Sequence, residues 1–176
     1  MRCKKRKISK SKLIIGEGKE DEKKFLCHMK DIYYKRNEHY TIRLLPAQGG
    51  GPKSVIAFTE KQIQNINYDE IVILLDEIPN IEKELNNKEK NFIKDKKIKL
   101  LVSSPICLEG MLLQIKGIAL PKSKKAKACK KRLNERLSGY PFTTSFLNNH
   151  FSRHTLNEAA KSMPTIKNLI NFFSKK

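Results

Sequence analysis

A chain of 176 residues with 39% apolar and 31% charged content is long enough to bury a core, which excludes a purely disordered polyelectrolyte. Lys and Arg number 37 against 18 Asp and Glu, a net charge of +19 that points to a polyanionic partner, nucleic acid ahead of an anionic membrane surface. Lysine drift in an AT-rich genome is the competing explanation. Cys3, Cys27, Cys107 and Cys129 form no CxxC pair, which excludes the usual zinc spacings and a disulfide framework.

The start, "MRCKKRKISKSK", reads as a basic flexible arm over residues 1–12. The apolar run after it is too short for a signal peptide, and no stretch approaches a membrane span, so a cytoplasmic protein is expected. "KLIIG" reads as a short buried strand. Phe25, Leu26, Met29, Ile32 and Tyr33 then share one helix face over residues 20–34. "YTIRLLPA" is strand-like, "QGGGP" is a loop, and Val55, Ile56, Ile63 and Ile66 indicate a helix. "EIVILLDE" has the uninterrupted apolar run of a central strand covered on both faces. A charged, exposed helix is expected over residues 80–92, another strand at "IKLLVSSP", and a helix from "ICLEGMLLQI". Strand and helix alternate four times, which predicts an α/β fold with a mainly parallel central sheet and helices on both faces. From Pro121 the character turns basic and helical, so residues 13–120 read as the α/β domain and 121–176 as a C-terminal helical extension.

Ligand and catalytic groups of such sheets gather at the carboxyl ends of the strands. The first strand leads to Glu17 and, early in the next helix, Asp21. "IVILL" runs into Asp76 and Glu77. "IKLLV" leads through "SSP" to Glu109. Carboxylates brought to one edge repel one another unless a cation or shared protons intervene, and a hard divalent ion such as Mg²⁺ or Mn²⁺ suits an all-oxygen set. Each acid also has a plainer reading. Glu20 and Glu22 are best read as first-turn charges that complement a helix dipole, and Asp76 and Glu77 can cap the following helix.

In order and spacing these segments resemble a Toprim domain, closest in pattern to RloB-like and OLD-type nucleases. "IIGEGKEDEKKFL" is similar to the family's strand followed by "EGxxE", with Glu17 leading and Asp21 at the second acid. "VILLDEI" is similar to its strand ending in an Asp motif, and "SSPICLEGMLLQI" to its later "SxPxxE" segment, with Glu109 as the acid. Ile78 stands where the second acid of a "DxD" is common. The resemblance covers roughly residues 13–116. It implies a metal-dependent nuclease of phage defence in which Glu17 is a metal ligand or general acid/base, Asp76 a metal ligand, and Asp21 and Glu109 support them; Glu77 or Glu82 is left to stand in for the missing acid, although a neighbour on an extended strand points the other way. It also implies a separate ATPase of the ABC or AAA type, since no P-loop sequence occurs in this chain.

Lys53, after three glycines, can meet a phosphate at a helix start, although a plain sharp turn uses the same residues. Residues 122–136 carry Lys122, Lys124, Lys125, Lys127, Lys130, Lys131, Arg132 and Arg136. As a helix this segment is basic on nearly every side and suits the phosphate backbone of DNA or RNA without sequence readout. His150 and His154 are spaced to share a helix face. Two alternatives to a nuclease remain: a catalytically degenerate module that binds nucleic acid or the ATPase, and a phosphoryl or nucleotidyl transferase. The sequence leaves the oligomeric state open, a homo-oligomer included.

Overall fold

The computed structural model describes residues 10–35, 40–78, 80–123, 125–138 and 142–174. Its centre is a four-stranded sheet of β1 (Lys10–Gly16), β2 (Tyr40–Pro46), β3 (Glu70–Asp76) and β4 (Lys99–Ser103). The spatial order is β2-β1-β3-β4 and every pairing is parallel. The fold is therefore α/β with helices on both faces, and the sheet is wholly rather than mainly parallel.

Alternation along each strand divides the core in two. Ile14, Val72, Leu74 and Leu101 face one side, with helices α1 (Asp21–Tyr33), α5 (Leu108–Ile115) and α6 (Ala126–Arg136). The same layer takes in α7 (Thr144–His150), α8 (Arg153–Ala160) and α9 (Pro164–Ser174). Leu13, Ile15, Ile71, Ile73 and Leu75 face the other side, against α2 (Gly51–Ile63), α3 (Ile81–Glu84) and α4 (Asn87–Asp95).

In its elements the structure differs from the sequence expectations at several places. Of the basic arm, Lys10 to Lys12 belong to β1, and residues 1–9 lie outside the described residues. Lys12 is buried, donates to the Phe172 carbonyl at 2.9 Å, pairs with Glu70 at 3.3 Å and stacks over the Tyr40 ring, so it braces α9 and is no part of a flexible arm. The single helix expected over residues 80–92 is two, because Leu85 turns into the interior and Asn86 opens a capping box with Glu89. The C-terminal helices carry Phe146, Phe151, Leu169 and Phe173, all buried, so they complete one face of the sheet. Finally, His150 ends α7 while His154 lies in α8, because Ser152 caps a new helix between them.

Candidate functional site

The carboxyl edge of the sheet is laced by backbone bonds that continue past the strand ends. Glu17 N donates to Leu74 O at 3.0 Å, Ala47 N to Gly16 O at 2.8 Å, and Gly49 N to Glu17 O at 2.6 Å. The first fixes the tip of β1 against β3, and the other two tie it to the segment that leaves β2. The Glu17 side chain then folds across to the neighbouring strand, where its Oε2 accepts from the Asp76 backbone N–H at 3.0 Å. Asp76 lies two residues beyond Leu74 and shares its face, toward α1 and α5. Its Oδ1 accepts from Leu108 N at 3.2 Å, at the start of α5.

An open cleft of about 410 Å³ lies on this edge, lined by Asp21, Glu22, Asp76 and Glu109 with Lys127 and Lys130. Asp21 and Glu22 stand in the first turn of α1 and Glu109 in the first turn of α5, where each helix dipole favours an anion. Glu109 is 8% exposed, which for a carboxylate demands a compensating charge. Asp76 is pushed up to about 7, first by burial, then by Glu22 and Glu17, with Glu109 adding a smaller push. Glu22 is pushed up as well, first by burial and then by Glu109, Asp21 and Glu17, with a backbone hydrogen bond pulling the other way. These acids therefore share one field, and a cation among them would relieve it.

Glu22 is the residue the sequence reading missed. Its signal is periodicity: it sits three and four residues before buried Phe25 and Leu26, on the inward side of α1, while Glu20, which also lines the cleft, is exposed at the N-cap beside Lys24. Its carboxylate folds over Gly18, in the space a β-carbon there would need. Glu77 departs in the other direction. It is exposed and accepts from Ser104 Oγ at 3.1 Å and from the Ile106 backbone N–H, so it secures the turn before α5 and stands off the cleft. Ile78, at the position of the second motif acid, brings no oxygen to the site.

The basic residues divide as well. α6 is not basic all round: Cys129 and Leu133 are fully buried and anchor it beside α5. Lys127 and Lys130 face the acid cleft, whereas Lys131 and Arg132 line the next depression with Lys122 and Glu135. Lys125 is exposed just before the helix, and Lys124 lies outside the described residues. Lys53 is exposed at the start of α2, beneath the opposite sheet face. Burial pushes the Cys107 and Cys129 thiols upward, which argues against either as a nucleophile.

The donor set fits a hard cation better than zinc, since oxygen ligands alone meet in the cleft. Ser103, the register partner of Asp76, is fully buried on the same face as Leu101. Its Oγ finds no hydrogen-bond partner among the described residues, the kind of polar atom that ordered water or a hydrated ion satisfies. Among the described residues no three or more His, Cys, Asp and Glu side chains are already drawn together as a preformed metal cage. Nor does any described helix have the length and apolarity to cross a membrane. Comparison with protein-family models, curated proteins and solved structures finds no significant match to this chain.

Proposed function

We propose that this chain is a metal-dependent nuclease of DNA or RNA phosphodiesters, built on a Toprim-like domain. The observation that supports this reading is the meeting of Asp21, Glu22, Asp76 and Glu109 in one cleft beside a basic helix, with Glu17 bonded to the backbone of Asp76. Mg²⁺ or Mn²⁺ would be held by Asp76, Glu22 and Glu109, with Asp21 and Glu17 within the same edge. When bound, such an ion supplies a Lewis acid and an activated water for in-line displacement. Glu17 orients the end of β3, and Asp76, near neutrality without a cation, can hold or give up a proton at its carboxyl. Lys127 at the cleft and the exposed Lys125 and Lys131 attract the phosphate backbone, so binding should weaken steeply with salt. A role in phage defence and a separate ABC- or AAA-type ATPase follow from the family resemblance, and a cytoplasmic location from the short apolar run behind the basic start.

The test is cleavage of mixed DNA and RNA substrates in Mg²⁺ or Mn²⁺ by the wild type, Glu17→Ala and Asp76→Ala. Activity only in the wild type supports the proposal; equal activity in all three would sink it. A finer variant is Gly18→Ala. The added methyl collides with the far end of the Glu22 side chain, which can swing away, so stability should change by less than about 1 kcal/mol. Mn²⁺ affinity measured by calorimetry should fall roughly tenfold as Glu22 leaves the cleft. Unchanged affinity would remove Glu22 from the ligand set.

Ile78 favours one other reading, a degenerate module that binds nucleic acid or an ATPase without cleaving. It predicts no Mn²⁺ binding at millimolar concentration in the wild type.

A further inference from the structure

The acids and the basic helix meet at one side chain. Lys130 follows the fully buried Cys129, so the packing of α6 sets where its stem leaves the helix. Its Nζ donates to Asp21 Oδ2 at 2.7 Å and lies 3.8 Å from Glu109 Oε1. One ammonium thus bridges the first turn of α1 and the first turn of α5, at the mouth of the cleft that Asp76 and Glu22 also line. Glu109, almost fully buried, has this ammonium as a neighbouring charge of opposite sign. The Lys130 side chain is itself 51% exposed, so the charge sits on a flexible stem with open solvent beside it.

We infer that Lys130 is a built-in counter-ion: it holds the cation position among the acids while no metal is bound, and moves out onto a substrate phosphate when a divalent ion enters. The inference rests on the metal-dependent reading of the cleft. A lysine ammonium carries one positive charge and takes up carboxylate oxygens that a divalent ion needs as ligands. The two cations therefore compete, and the metal's apparent affinity is its intrinsic affinity multiplied by the fraction of molecules in which the lysine has left the acids. Once displaced, the ammonium remains tethered beside Lys127 at the cleft mouth, where a phosphodiester crossing the acids would meet it. Coupling of this kind makes metal entry and substrate binding support each other, because each gives the other its site.

The experiment titrates Mn²⁺ into the full chain by calorimetry for the wild type, Lys130→Met and Lys130→Arg. Lys130→Met should bind Mn²⁺ roughly fivefold more tightly, the size one half-exposed ion pair carries, while Lys130→Arg should stay near the wild type. A nuclease-resistant phosphorothioate oligonucleotide is then bound with Mn²⁺ or with EDTA. Lys130→Met should lose affinity severalfold in Mn²⁺ and little in EDTA. Mn²⁺ affinity in Lys130→Met equal to or weaker than wild type would overturn the counter-ion role alone. Failure of all three proteins to bind Mn²⁺ would overturn it together with the nuclease reading.

Discussion

Asp76→Asn is expected to raise the thermal midpoint of the metal-free protein at about pH 8 while abolishing Mn²⁺ binding and lowering cleavage on the order of a hundredfold or more. The two effects have one cause. Asp76 is held near 7 against an ordinary value of 3.8 because burial and the Glu22 and Glu17 carboxylates oppose its charge. A carboxyl raised in the folded state binds its proton more tightly there than in the unfolded chain. Its ionisation then costs stability, a cost absent below about pH 4, growing as pH rises, and complete above about pH 7. Asn is neutral throughout and keeps an oxygen to accept from Leu108 N, so it removes the repulsion without losing that bond. Discounted for partial exposure, the gain is roughly 2 kcal/mol, about 5 °C for a chain of this size. Melting curves with EDTA across that pH range should show the two proteins together in acid and diverging toward neutrality. Coincident curves at about pH 8 would show that the acids do not strain the fold. Stability gained as function is lost is the signature of a site held in an unfavourable arrangement for its chemistry.

Much of the fold was legible because single elements carried unambiguous patterns. β3 is an apolar run between charged ends, and α1 repeats its buried residues at helical spacing. Parallel strands joined by helices follow from that alternation, and with them the edge where Glu17, Asp76 and Glu109 gather. What escaped the sequence depended on packing. Leu85 turns inward and splits an expected helix, which no local propensity announces. The basic look of α6 hides Cys129 and Leu133, a stripe too thin to stand out among lysines. Glu22 looked like its neighbour Glu20 because both begin a helix; only their angular position relative to Phe25 and Leu26 separates them. Glu77 differs through its partners: adjacent to Asp76 in sequence, it is exposed and finds backbone and hydroxyl donors in the turn before α5.

That turn also explains why Gly110→Ala should be the most damaging glycine-to-alanine change among the described residues. A β-carbon on Gly110 would overlap the carbonyl oxygen of Pro105, with Cys129 Sγ close on the other side. The carbonyl cannot swing away as a side chain would, since it accepts from Cys107 N at 2.8 Å and the Ile106 amide is held by Glu77. Relief requires α5 to shift, and α5 carries Met111, Leu112 and Leu113, all fully buried. The expected loss is about 3 kcal/mol, at the upper end for overpacking, read as a lower denaturation midpoint. The same shift moves Glu109 and the Leu108 amide that holds Asp76, so Mn²⁺ binding should weaken under conditions where the variant remains folded. Met111→Leu, on the same helix with volume nearly preserved, is the control and should cost under about 1.5 kcal/mol with Mn²⁺ affinity unchanged. If Gly110→Ala unfolds within about 0.5 kcal/mol of wild type, the turn is more compliant than its hydrogen bonds imply. A loss of stability with metal affinity intact would mean that α5 does not set the position of the acids.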